Sequence, residues 1–250
     1  MSNIVYQKSK GLTANQLSYC PGCTHGIVHK LVAEALEELG LVQNSIGIAS
    51  VGCSVLSYLF FDCDMVQASH GRACAVATGI KRTCPERTVF TYQGDGDLAS
   101  IGIAETIHAA NRGENITVIF INNAIYGMTG GQMAPTTLIG QRTTTSPLGR
   151  DAALHGSPIK IAEIFSQIPR AAYVERVAVF NPKTLRNAKK AISKAFRYQT
   201  EKKGFSIVEV LSTCPVNWGM TPIKAMKWVE EEMTKYYPLG IFKDTEESHE

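Results

Sequence analysis

No apolar run in this sequence is long enough to cross a bilayer. Residues 116–121 form one of the longest, against the roughly 20 residues a spanning helix needs. The first ten residues are polar and hold no apolar segment of the kind a secretion signal requires. Neither sign of charge is in marked excess: 25 Lys and Arg stand against 22 Asp and Glu, a net charge of +3. That balance leaves no footprint for nucleic acid. A short acidic end, residues 244–250, is expected to fray. A disulfide framework is disfavoured too. Seven cysteines is an odd number, and in a chain without an export signal they suit free thiols or metal ligands. The expectation is a cytoplasmic protein that engages neither membrane nor nucleic acid, with no internal repeat and no low-complexity linker.

What is present is a chain of 250 residues, 44% of them hydrophobic, which suits one large α/β domain better than two. Its apolar period switches between helix and strand along the whole length. Ile27, Val28, Leu31, Val32, Ala35, Leu36 and Leu39 mark one face of a helix that Gly40 stops. Runs at residues 45–51, 65–69, 88–93, 116–121, 171–180 and 205–211 read as strands. Residues 72–81, 101–111, 159–168 and 182–203 read as helices, the last begun by Asn181-Pro182. A final amphipathic helix is expected over residues 223–237, closed by Pro238. This alternation predicts an α/β fold, a parallel sheet with helices on both faces, with ligands at the carboxyl ends of the strands. Residues 126–158, rich in Gly, Thr and Pro, make a connection of a length that is usually functional or disordered.

Gly94-Asp95-Gly96-Asp97 follows one of these strands, and Asn122-Asn123 ends the next. Glycines let the backbone approach a phosphate, and a following helix offers free N–H groups to it. Asp95 and Asn123 are hard oxygen donors on adjacent strand ends, suited to Mg²⁺. A bare Gly-Asp-Gly is otherwise only a tight turn. The second element at the correct distance makes the pair resemble the thiamine-diphosphate fingerprint. By that resemblance Mg²⁺ is held by Asp95, Asn123 and the main chain of Ile125, and Gly94, Gly96 and Asp97 belong to the diphosphate loop.

Cys20-Pro21-Gly22-Cys23 precedes the first helix, Cys53 follows the first strand and Cys214 the last. Four thiolates suit either tetrahedral Zn²⁺ or a 4Fe-4S cluster. A lone C-x-x-C is also compatible with a redox dithiol. Taken with Gly52-Cys53-Ser54, Ser69-His70-Gly71-Arg72, the thiamine fingerprint and the loop Tyr126-Gly127-Met128-Thr129-Gly130-Gly131-Gln132, the chain resembles the β subunits of 2-oxoacid:ferredoxin oxidoreductases, from Tyr19 to about Asp244.

The resemblance implies a thiamine-diphosphate-binding fold for residues 1–250, with an N-terminal Cys-x-x-Cys segment and a C-terminal helical tail. It implies oxidative decarboxylation of a 2-oxoacid with coenzyme A, electrons leaving through a 4Fe-4S cluster on Cys20, Cys23, Cys53 and Cys214 to ferredoxin. Gly52, Cys53, Ser54 and His70 would line the cofactor, His70 with a catalytic role. Arg72 would lie near an anion, and Met128 and Thr129 would contact substrate. Met128 is apolar, and Gly130 offers no cation where relatives acting on 2-oxoglutarate often carry Lys. A branched substrate such as 2-oxoisovalerate is therefore expected ahead of 2-oxoglutarate.

The glutamate that activates the aminopyrimidine has no clear candidate here, Glu105 included. An α subunit with a pyrimidine-binding domain is expected to supply it, alongside γ and ferredoxin-like δ subunits. The competing readings are a non-oxidative thiamine-diphosphate decarboxylase subunit with structural zinc, and an electron-transfer or zinc module with no catalytic cofactor. Cys63, Cys74 and Cys84 are expected to be small buried hydrophobes, and His25, His29, His108 and His155 surface or packing residues.

Overall fold

The central strands form where apolar and β-branched residues run together, and the structure, a computed structural model, describes residues 7–246. In chain order they are β1 Ser45–Ala49, β2 Asp64–Gln67, β3 Thr88–Gly94, β4 Thr117–Asn122, β5 Ala171–Ala178, β6 Phe205–Leu211 and β7 Gly240–Asp244. Between and around them lie helices α1 His25–Glu38, α2 Ser57–Phe60, α3 Ala73–Thr83, α4 Ile103–Arg112, α5 Ala152–His155, α6 Ile161–Ser166, α7 Pro182–Thr200, α8 Pro215–Trp218 and α9 Pro222–Trp228.

The strands make one sheet in the order β2-β1-β3-β4-β6-β5-β7. All neighbouring pairs are parallel except β5 with β7. Every residue of β4 and of β6 is buried, as expected of central strands covered on both sides. One core joins α1 and α7 to one face through Phe90, Tyr92, Ile119, Val208 and Val210. The other joins α3, α4 and α6 to the opposite face through Val89, Val118, Phe120 and Ile207. The period-2 alternation of β3 thus sends Val89 to one side and Phe90 to the other. Helix α7 begins where Asn181 and Thr184 form a capping box, with Pro182 in the first turn.

The final helix runs to Tyr236, close to its expected end: past Trp228 a wider π turn over Val229–Met233 keeps Val229 and Met233 both buried, and Thr234–Tyr236 returns to α geometry. Two expectations are corrected. The tail then ends in the short antiparallel strand β7 rather than in a helix. Asp244 does not fray. It is buried on β7 and receives hydrogen bonds from Lys194 and Tyr198 on α7. The rest of the acidic end, residues 247–250, and the first six residues of the polar start lie outside the described residues. Among the described residues no helix is long and apolar enough to cross a membrane.

Candidate active site

The loops that follow β1, β2, β3, β4 and β6 all open at the carboxyl edge of the sheet, so five separate stretches of sequence meet there. The loops after β1, β2, β3 and β4, with His25 of α1, enclose a cavity of about 560 Å³ counted with the solvent space at its open side. Gly52, Cys53, Ser54, His70, Gly94, Asp95, Gly96, Asp97, Asn123 and Ile125 line it, together with Met128 and Thr129. His25, Val51, Tyr126 and Gly127 complete the wall.

Asp95 sits at the end of β3, 3% exposed. Its carboxylate accepts from the Gly96 N–H at 2.8 Å and from the Thr136 hydroxyl at 2.6 Å. No basic side chain is among its partners, and burial pushes its pKa up to about 6 against the pull of those donors. A buried carboxylate so placed is suited to receive a cation. Asn123 faces it from the end of β4, its side-chain oxygen accepting from the Ile125 N–H at 3.3 Å. Between them Ala124 adopts φ 57°, a left-handed conformation that costs a non-glycine residue free energy and marks a constrained turn. Thr137 and Gln141 of the long connection both donate to the Ala124 carbonyl, at 2.7 and 3.0 Å. The strained turn is therefore clasped from outside. Asn122, the first of the pair, faces the other way and donates to Glu209, which is paired with the fully buried Arg176. Gly96 is required by contact: a Cβ there would lie 2.0 Å from the Tyr126 ring.

Asp97 is committed elsewhere. Its carboxylate accepts from His70 Nδ1 at 2.5 Å, the Gly71 N–H at 2.7 Å and Gln93 Nε2 at 2.7 Å. In this place it orients His70. Arg72 is turned away from the cavity into a 2.5 Å ion pair with Glu105, so it does not serve the anion expected for it.

Behind the cavity lie the thiols. A Cβ on Gly127 would stand 3.4 Å from both the Cys53 and the Cys214 sulfurs, so this stretch of loop runs against both thiols. Asn217 donates to Cys214 Sγ at 3.2 Å and to the Gly127 carbonyl at 2.9 Å. The C-x-x-C turn closes with Cys23 N–H on the Cys20 carbonyl at 3.0 Å. It is stitched to the end of β6 by Thr213 on the Gly22 carbonyl and by Thr24 with Ser212. Burial and mutual repulsion push Cys23 up to about 12 and Cys53 to about 11, with Cys214 also raised. Thiols this reluctant to ionise need a metal to become thiolates. Among the described residues no three His, Cys, Asp or Glu side chains gather tightly enough to hold one metal ion. An iron–sulfur cube, bound at its corners, sets its four sulfurs further apart than a single ion does. Of the remaining cysteines, Cys74 is buried and donates to Gln93, Cys63 is half-buried, and Cys84 is exposed, contrary to its reading as a buried hydrophobe.

Two features had no sequence signature. One is the clasp of Thr136, Thr137 and Gln141. The other is a stack of buried rings beside the thiols. His25 lies 4.8 Å from the Tyr19 ring and hydrogen-bonds Tyr92 at 2.8 Å. His29 hydrogen-bonds Tyr19, whose hydroxyl also reaches the Cys53 carbonyl. Burial lowers His25 to about 4 and His29 well below its usual range. His25 is thus a packing residue, as expected, and also a wall of the cavity.

Residues 50–210 match the family described as thiamine pyrophosphate enzyme, C-terminal TPP binding domain. The ketoisovalerate oxidoreductase subunit VorA of Methanothermobacter thermautotrophicus is 48% identical over 96% of this chain and 50% of its own length. The 2-oxoglutarate synthase subunit KorB of Methanocaldococcus jannaschii is 37% identical over 91% of this chain and 87% of its own. The chain spans about half the length of the VorA relatives it matches. Among solved structures, the 2-oxoglutarate:ferredoxin oxidoreductase from Magnetococcus marinus, with 2-oxoglutarate, coenzyme A and succinyl-CoA bound, superposes with a TM-score of 0.75 at 27% identity, covering 94% of this chain and 83% of that one. With the thiamine-binding domain at its centre and these relatives on either side, the chain belongs to the family of thiamine-diphosphate-binding subunits of 2-oxoacid:ferredoxin oxidoreductases.

Proposed function

We propose that this chain binds thiamine diphosphate and Mg²⁺ at the carboxyl edge of its sheet and a 4Fe-4S cluster on Cys20, Cys23, Cys53 and Cys214, as one cytoplasmic subunit of a coenzyme A-dependent 2-oxoacid:ferredoxin oxidoreductase. The observation that carries it is a shared wall: Cys53 lines the same cavity as Asp95, Asn123 and Ile125. A thiol cradle and a diphosphate site with one wall in common suit a reaction that hands electrons from one to the other.

The cofactor, when bound, supplies the carbanion chemistry at the 2-oxo carbon. Asp95, the Asn123 side chain and the Ile125 carbonyl would hold Mg²⁺ against the diphosphate. The loop from Gly94 to Asp97 would lie against the diphosphate. His70, oriented by Asp97, faces the cavity where it can hold or move a proton. Met128, 50% exposed, gives an adaptable apolar wall. Burying a distal carboxylate against it would cost several kcal/mol, whereas an isopropyl group would gain roughly 1–3 kcal/mol, so 2-oxoisovalerate is favoured over 2-oxoglutarate.

An anaerobic assay of the complete complex tests this, with 2-oxoacids, coenzyme A and ferredoxin, alongside iron and zinc content. Serine at any of the four cysteines should remove iron, and serine at Cys63, Cys74 or Cys84 should not. Stoichiometric zinc without iron would replace the reading with a non-oxidative decarboxylase. A kcat/KM for 2-oxoglutarate at or above that for 2-oxoisovalerate would reverse the substrate preference.

A further inference from the structure

Two imidazoles face the cavity, and each is held from behind by Nδ1. His70 Nδ1 meets the Asp97 carboxylate, which accepts only. In the neutral ring the proton is therefore on Nδ1, which leaves Nε2 as an acceptor. His25 Nδ1 meets the Tyr92 hydroxyl at 2.8 Å, and that fully buried phenol has no other hydrogen-bond partner among the described residues. A phenol with one partner donates to an imidazole nitrogen, since that is the stronger of the two arrangements. The proton of His25 is thereby placed on Nε2. The ring is 2% exposed, lines the cavity, and has no recorded partner for Nε2 among the described residues. The two rings thus present opposite polarity to one space.

We infer that His25 is a hydrogen-bond donor from Nε2 to the 2-oxo oxygen of the substrate, a role that rests on the 2-oxoacid reading above. Its place supports this. The ring stacks on Tyr19, whose hydroxyl reaches the Cys53 carbonyl, so it stands on the Cys53 side of the cavity. Asp95 and Asn123 are already engaged with the Mg²⁺ turn, and Thr129 donates to Gln132. His25 is then the side chain left to offer an N–H toward oxygen charge growing on the 2-oxo group. An uncharged donor also suits a space that must accept a cationic thiazolium.

The test uses the complete complex and a 2-oxo phosphonate, a mimic of the 2-oxoacid that cannot lose CO₂. His25→Leu should weaken phosphonate binding at least about tenfold and lower kcat about 100-fold, with thiamine-diphosphate affinity and iron content unchanged. His25→Gln, which keeps an N–H, should recover much of the affinity. Tyr92→Phe should cause a smaller loss, and none when added to His25→Leu. Wild-type phosphonate affinity in His25→Leu would overturn the assignment. So would equal losses in His25→Leu and His25→Gln, which would make the ring structural. A wild-type complex that binds no phosphonate would instead remove the 2-oxoacid reading, and this assignment with it.

Discussion

Asp95 shows at the scale of one residue how a site opposes the fold that carries it. Its carboxylate is buried with hydroxyl and N–H partners but no cation, and its raised pKa measures the desolvation it bears. Asp95→Asn keeps the shape and removes the charge. The cofactor-free chain should then gain about 1–3 kcal/mol at neutral pH and lose its stabilisation by thiamine diphosphate with Mg²⁺. Thermal melts with and without the cofactor pair check both halves; an unchanged cofactor increment would show that Asp95 holds no metal. Asp95 and Asn123 were legible from sequence because their spacing is tied to consecutive strand ends. His25 was not: a single histidine on an amphipathic helix has no spacing of its own, and its position two residues after the C-x-x-C was the one signal present. Arg72 misled because a cation beside a glycine turn resembles an anion site, while its partner Glu105 lies 33 residues away in sequence.

At the scale of elements, α1 carries its own sensitivity to acid. His25 and His29 are buried and uncharged, with pKa values held down by burial. In the unfolded chain both titrate near 6.5. Their contribution is complete above that value and is lost as pH falls toward about 4, the folded value for His25, because the unfolded chain takes up protons first. The loss reaches about 3 kcal/mol for His25 alone, a sizeable part of a domain's net stability. Urea midpoints at pH 7.5 and pH 5 should differ accordingly, and His29→Phe should reduce the difference; equal midpoints would contradict the burial argument. The long connection depends on Arg150, which donates to the carbonyls of Ala134, Pro135, Thr137, His155, Gly156 and Ser157. Arg150→Ala would orphan these acceptors at about 1–3 kcal/mol for each that stays dry. Residues 134–157 should become the first site of limited proteolysis, and the clasp on Ala124 should loosen with them. The central strands were legible because both faces are apolar. This loop was not, since its order comes from one arginine and a set of hydroxyls rather than from any periodic pattern.

Over the whole molecule, one cavity wall is polar, another holds the Cys53 thiol, and nothing lining it offers a glutamate. On the function proposed above, the described residues would supply the diphosphate half of a thiamine site. The purified chain should bind the cofactor weakly and turn over no 2-oxoacid, activity returning when the subunit bearing the pyrimidine domain is added. Full turnover by the chain alone would show that the missing glutamate is already present. The sheet is finished only by β7, the last described strand, which pairs with β5 from the far side of α9. Until those residues are made, β5 presents open N–H and C=O groups, a template for pairing with another chain. Synthesis therefore leaves the nascent protein with a sticky margin until β7 is made. Loss of the final strand should appear first as insoluble protein in the cell, before any change in the chemistry of a site on other strands.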